Sequence, residues 1–275
     1  MRNIFNYVDR PSPIHRLTGA TKLVCLLLWS FAAMSTYDTR LLVFLTLLSL
    51  VLFALSRIRF SDVSFLVSFM AAFMVLNNVL IFVFSPQHGV TLYGSSHPLL
   101  SLGGQYVITR EQLFYHLNLV LKYFATIPIV LLFVCTTNPS EFAASLNRIG
   151  IKYTVAYSVA LALRYIPDIQ KNYHEISQAQ QARGIEMSRK QNLVKRLKSA
   201  AAILIPLILS SMDRIEVVSN AMELRGFGKG KKRTWYMGRP FRPADILAMV
   251  FCALLLAAAI VLNVLNGGRF WNPFR

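Results

Sequence analysis

The chain has 275 residues, 55% of them hydrophobic and only 15% charged, with a formal net charge of +17. A soluble domain of this length carries about 25% charged residues, which argues against an ordinary soluble globular domain. The excess of Lys and Arg could signal nucleic acid, but its placement along the chain follows the pattern of a membrane protein, and no nucleic-acid partner is expected.

The apolar runs come first. Leu41 to Ser56, Val63 to Phe84 and Ile246 to Asn266 contain no Asp, Glu, Lys or Arg. A helix needs about 20 mostly apolar residues to cross the hydrocarbon. Leu23 to Tyr37 and Leu41 to Ser56 are short, but Lys22, Arg40 and Arg57 border them, and their stems can reach the interface. Gln112 to Cys135 is a further span that carries Lys122. The expected plan is an all-α membrane protein of about five transmembrane helices. Residues 1–135 form an N-terminal region with four spans, near 23–37, 41–56, 63–84 and 112–135. Residues 136–244 are cytoplasmic and helical, and 245–275 hold the fifth span and a tail. No small-residue cleavage pattern follows the first apolar run, so no cleavable signal peptide is expected. Cys25, Cys135 and Cys252 lie in or beside apolar runs and read as small buried hydrophobes.

The loops set an orientation. Arg2, Arg10, Arg16 and Lys22 mark the N-terminal lead, Arg57 and Arg59 the second loop, and residues 136–244 run from Arg148 through Lys229, Lys231, Lys232 and Arg233 to Arg242. The Thr36 to Arg40 turn and the Ser85 to Glu111 loop each have a single basic residue. Basic and non-basic loops alternate, which places the N-terminus and 136–244 in the cytoplasm of a cell-membrane protein and the C-terminus outside. Arg269 and Arg275 dissent. The Ser85 to Glu111 loop, rich in Gly, Pro and Ser, reads as turns or a short hairpin.

Residues 136–244 read as three helices. The first opens at Asn138-Pro139-Ser140-Glu141, with a capping residue before a first-turn proline and glutamate, and stops before Gly150. The second runs from about Tyr153 to Ala182 with Pro167 inside. Its residues Val155, Val159, Ala162, Ile166, Ile169, Tyr173 and Ile176 form a seam that packs along another helix. The third runs from about Lys190 to Glu223 with Pro206 inside. Its apolar middle, Ala200 to Leu209, is too short to span and should lie against the membrane or the bundle.

The second helix ends Ser177-Gln178-Ala179-Gln180-Gln181-Ala182-Arg183-Gly184-Ile185, and the third Ser219-Asn220-Ala221-Met222-Glu223-Leu224-Arg225-Gly226-Phe227. Ser, Ala, Arg and Gly recur at matching places. One reading is a helix stop, with Arg in the last turn and Gly in the left-handed position after it. The other is a pair of equivalent docking ends for a partner with twofold symmetry, each arginine fork seeking a carboxylate.

Other polar residues are weighed against these ends. Lys122 in mid-span needs a partner or water. With Asn77 and Asn78 it is a candidate contact or latch toward another membrane subunit, or else it bonds inside the bundle. His15, His88, His97, His116 and His174 show no metal-ligand spacing, so no metal site is expected. Gly226 to Lys232 lacks the Walker A spacing and reads as a basic tether at the inner leaflet.

These residues resemble the transmembrane T component of energy-coupling factor transporters, a branch of the ABC importers. Ala182-Arg183-Gly184 matches the family's Ala-Arg-Gly motif, and Leu224-Arg225-Gly226 departs only at its first position. Ser12-Pro13-Ile14-His15-Arg16-Leu17 resembles the family's lead, with Thr18-Gly19 where Asp-Pro is usual. Thr136 to Glu141 and Leu161 to Pro167 agree as well. The resemblance implies a non-catalytic coupling subunit whose three cytoplasmic helices are coupling helices. Ala182, Arg183, Gly184, Leu224, Arg225 and Gly226 would dock two ABC-type ATPases, as a homo- or heterodimer. A separate hydrophobic substrate-binding S component in the lipid bilayer would carry a vitamin or a transition metal ion. The chain itself would bind no cofactor, since ATP and Mg sit on the ATPases. A stand-alone carrier or channel and a membrane-embedded enzyme are the alternatives. The spans show neither inverted repeats nor broken helices, and the cytoplasmic segment lacks a catalytic cluster.

Overall fold

A computed structural model describes residues 12–101, 106–185, 192–230, 234–235 and 239–274. Arg2, Arg10, Lys190, Lys231, Lys232, Arg233 and Arg275 lie outside the described residues. The described elements are α1 (Gly19–Ser35), α2 (Thr39–Leu55), α3 (Phe60–Phe84), α4 (His88–Tyr93), β1 (Pro98–Ser101), β2 (Val107–Thr109), α5 (Arg110–Thr136), α6 (Pro139–Arg148), α7 (Tyr153–Ala182), α8 (Leu193–Leu224) and α9 (Pro243–Leu265). The fold is that of an all-α membrane protein. Three helices, Val63–Phe84, Arg110–Thr136 and Pro243–Leu265, are long and apolar enough to cross a membrane, and Gly19–Ser35 and Thr39–Leu55 are shorter apolar helices. The Ser85 to Glu111 loop contains an antiparallel β1–β2 hairpin and also α4, a short helix that its Gly and Pro content concealed.

The chain divides into two compact units, Met1–Asn138 with Arg239–Arg275, and Pro139–Gly238. In the first unit α5 is the hub, packing against α1, α2, α3 and α4, while α9 packs against α1. The core joins Trp29, Ala32 and Ala33 of α1 to Leu41 and Leu45 of α2, Ala125 and Ile129 of α5, and Cys252, Leu255 and Ala259 of α9. Alanines at these contacts let helix backbones approach closely, the usual source of packing energy in lipid. The remaining apolar surface faces outward, most of all on α3, where Phe65, Phe69 and Phe73 form an exposed ladder.

Polar groups inside this unit close helix ends and one helix break. Pro128 lies inside α5 and supplies no N–H to the Phe124 carbonyl one turn back. The Ser49 hydroxyl donates to that carbonyl at 3.0 Å, and the Trp29 indole donates to the Ala125 carbonyl at 2.9 Å. Two lysines cap the carbonyl ends of other helices. Lys22 Nζ donates to the Thr136 carbonyl at the end of α5 (2.8 Å), and Lys122 Nζ to the Met34 carbonyl at the end of α1 (3.1 Å). Lys22 is only 5% exposed, so it does not snorkel as its sequence position implied. It turns inward because the end of α5 offers an acceptor.

The N-terminal lead is tied to α9. The two oxygens of the buried Asp245 accept from the backbone N–H groups of Thr18 and Arg242, each at 2.8 Å. Thr18 caps α1 through its side chain, which extends that helix back to Gly19, beyond the expected start at Leu23. At the far end of the unit the C-terminal tail lies against the α1–α2 turn. Tyr37 N–H donates to the Arg269 carbonyl at 2.8 Å, Asn266 Nδ2 to Asp38 Oδ2 at 2.9 Å, and Asn272 Nδ2 to the Tyr93 carbonyl at 3.0 Å. The Tyr37 and Phe270 rings stack at 4.4 Å, and the Arg40 guanidinium covers Trp271 at 4.3 Å.

Candidate functional site

The second unit is built on α7 and α8. Gln180 Nε2 donates to the Ala202 carbonyl at 3.2 Å, Asp168 pairs with Arg214 at 3.5 Å, and the Tyr157 and Phe227 rings meet at 4.9 Å. Partner numbers fall on one helix as they rise on the other, so α7 and α8 are antiparallel. Arg183 and Arg225 therefore stand at opposite ends of the pair. The rise along the intervening turns of α8 separates them by roughly 35–40 Å.

The two ends have the same backbone geometry. Arg183 has φ −84 and ψ 8, and Arg225 has φ −80 and ψ 7. The next residues, Gly184 (φ 83) and Gly226 (φ 67), take the left-handed conformation. Gly184 N–H donates to the Gln181 carbonyl (2.9 Å) and Ile185 N–H to Gln180 (3.0 Å). In the same pattern Gly226 N–H donates to Glu223 (2.9 Å) and Phe227 N–H to Met222 (2.9 Å). Both ends are thus Schellman motifs, and each holds its arginine at the helix C-terminus by the same hydrogen bonds. The helix-stop reading accounts for Arg-Gly locally. Both arginines are exposed, and Leu224 is 90% exposed beside Arg225.

Within the pair, Ala156 and Ser177 of α7 and Ile203 and Leu207 of α8 are buried. The seam expected along α7 is largely open, with Val155, Ile166, Ile169 and Tyr173 all exposed. On α8, Leu204, Ile205, Ile208 and Leu209 are exposed too. Neither helix is covered by its partner alone. After α8 the chain returns to the start of α7, where Trp235 Nε1 donates to Asn147 Oδ1 at 3.1 Å and its ring lies 5.5 Å from Tyr153.

The remaining singled-out residues lie apart, in the membrane unit. Lys122 is 7% exposed, bonded to Met34 and seated over the Tyr37 ring at 3.2 Å. His116 Nδ1 and Asn78 Oδ1 are 2.8 Å apart, His116 Nε2 and Gln112 Nε2 3.1 Å, and Asn78 Nδ2 also donates to the Met74 carbonyl. Asn77 is half-buried. Neither asparagine is among the hydrogen-bond and ring partners of Lys122, which come from α1 and the turn after it. Asp245 and Ser49 escaped the sequence reading, because nothing local distinguishes a carboxylate or hydroxyl that serves a distant backbone.

The family model of CbiQ, described as a cobalt transport protein, matches residues 10–236. The energy-coupling factor transporter transmembrane protein EcfT of Bacillus selenitireducens is 30% identical over 274 residues, covering 96% of this chain and 98% of that protein. Its counterpart in Streptococcus equi is 29% identical over 90% of this chain and 92% of its own length. That of Bacillus subtilis is 26% identical over 94% and 96%. An all-α membrane protein with two matched arginine helix ends, aligned with these transporter components over nine-tenths of its length or more, belongs to the CbiQ family of cobalt transport proteins and, within it, to the transmembrane T components of energy-coupling factor transporters.

Proposed function

We propose that the chain is the non-catalytic coupling subunit of an importer in the cell membrane. Arg183 and Arg225 each seat in a groove of one of two ABC-type ATPases, which bind ATP and Mg. The observation that carries this reading is the repeated helix end: two identical Schellman caps at opposite ends of an antiparallel pair. Such a pair has an approximate twofold relation between its ends, which suits a dimeric partner with two like sockets. Closure of the ATPases on ATP moves the sockets and so shifts α7 relative to α8. The exposed apolar faces of these helices pass that shift to a separate hydrophobic S component that holds a vitamin or a transition metal ion. Energetically the subunit converts a difference in contact energy at two arginines into a change of state elsewhere.

Purification of the tagged chain from native membranes in mild detergent tests the reading. The wild type is expected to bring two ATPase chains and a small hydrophobic membrane protein. Arg183→Glu with Arg225→Glu should lose the ATPases, by on the order of a hundredfold or more for two reversed charges at a desolvated contact. Full ATPase retention and transport in the double variant would reduce both arginines to helix stops.

A further inference from the structure

We propose that the α8 docking end extends into a wider acid-binding groove, in which Arg164 and Arg214 act with Arg225 to receive an acidic segment of the docked ATPase. The inference rests on the docking reading of Arg225. A groove of about 440 Å³ opens between α7 and α8, and its polar lining is Arg164, Asp168, Arg214 and Arg225 with Tyr157 and Tyr165. Three guanidiniums face one carboxylate. Each guanidinium carries five N–H donors in a planar fork, whereas Asp168 offers two oxygens. Arg164 and Arg214 alone therefore outweigh Asp168 in charge and in donors, and an incoming carboxylate would offset that excess, bidentate in the best case.

The floor supports a side-chain ligand. Leu161, Val218 and Met222 give an apolar base on which the stem of a glutamate or aspartate can lie. The phosphate of a lipid headgroup has the same charge. The protein ligand is favoured because the groove is continuous with the α8 end, where Arg225 is both the docking arginine and a wall of the groove.

Asp168 gives the groove a mechanical consequence. It pairs with Arg214 at 3.5 Å, with both side chains near half exposure, and so bridges α7 and α8 near the middle of α7. A partner carboxylate on Arg214 competes with Asp168. Docking then loosens the ion pair between the two helices whose relative movement the coupling role requires. Asp168 acts as an internal stand-in for the partner's acid, holding the groove ordered until the partner arrives.

Full-length tagged chain is purified with its ATPases, identified by mass spectrometry, and the salt concentration that releases half of them is measured. Arg164→Glu and Arg225→Glu are each expected to lower that concentration by about twofold or more, and Arg164→Lys to restore most of it. Asp168→Asn removes the competitor and should raise it. If Arg225→Glu weakens retention while Arg164→Glu and Asp168→Asn match the wild type, the groove inference falls and the docking reading stands. If reversal of Arg183, Arg225 and Arg164 leaves retention unchanged, the docking reading falls and takes the groove with it. Loss of co-purified anionic phospholipid from Arg164→Glu with ATPase retention intact would make the groove a headgroup site and overturn the proposal. Should Arg164→Glu fail to assemble, Asp168→Asn decides alone: greater salt resistance supports the groove, and equal or lower resistance overturns it.

Discussion

Gly184 and Gly226 hold φ values of 83 and 67, in a region where a side chain costs about 1–2 kcal/mol. Gly184→Ala and Gly226→Ala should fray the last turn and swing each arginine off its axis without removing its charge. ATPase retention should fall less than in Arg183→Glu or Arg225→Glu, which a salt titration of the purified complex would read. Both glycines were legible in the sequence, since Arg-Gly at the end of a helical pattern signals a left-handed cap. Lys122 was half legible: its need for a partner was evident and its partners were not. The Met34 carbonyl and the Tyr37 ring belong to another helix and the turn after it, far away in sequence. Lys122→Met should therefore cost stability, about 1–3 kcal/mol for the orphaned carbonyl. It would show as a lower unfolding temperature in detergent with ATPase retention unchanged. Lost retention at full stability would instead make Lys122 a contact residue.

The elements owe their boundaries to local signals and their stability to remote ones. α7 over Tyr153–Ala182 matches the range expected from periodicity, and α6 opens at the expected Pro139. α1 starts before Leu23 because Thr18 caps it, its side chain accepting from the Thr21 N–H. Pro128 inside α5 is tolerated because α2 supplies Ser49 to the Phe124 carbonyl. Ser49→Ala should thus destabilise the membrane unit by roughly 1–3 kcal/mol. The loss should shrink in a Pro128→Ala background, where an N–H becomes available, and thermal unfolding of the four variants of that double-mutant cycle measures the coupling. Additive losses would mean that Ser49 and Pro128 act independently. Gly89 makes a stricter test. A Cβ there would stand 2.7 Å from the Gln112 and Glu111 backbone, so Gly89→Ala must push α4 off α5 and lower the unfolding temperature.

At the scale of the molecule, the residues from the non-basic loops meet at one end of the membrane unit. Tyr37, Tyr93 and the 269–274 tail are joined there by hydrogen bonds to backbone carbonyls and by ring contacts, while Thr18 meets Asp245 and Lys22 meets Thr136 at the other. Cys135 and Cys252 are buried as expected, but Cys25 is only half-buried against the core, so an introduced thiol is best read in a Cys25→Ala background. Phe274→Cys should react with an impermeant maleimide on intact cells, and Gly228→Cys only after permeabilisation. The reverse pattern would invert the orientation proposed for the chain. The sequence by itself determined the membrane class, the long helices, their order and the twin arginine ends. Each of these follows from hydropathy, period and cap chemistry within a few turns of chain. The antiparallel seating of α7 on α8, the gathering of Arg164, Asp168, Arg214 and Arg225 around one groove, and the acceptors of Lys22, Lys122 and Asp245 were decided only by the tertiary structure. Those contacts join residues remote in sequence, and which distant backbone group or charge meets a side chain depends on how whole helices pack, a property no local pattern encodes.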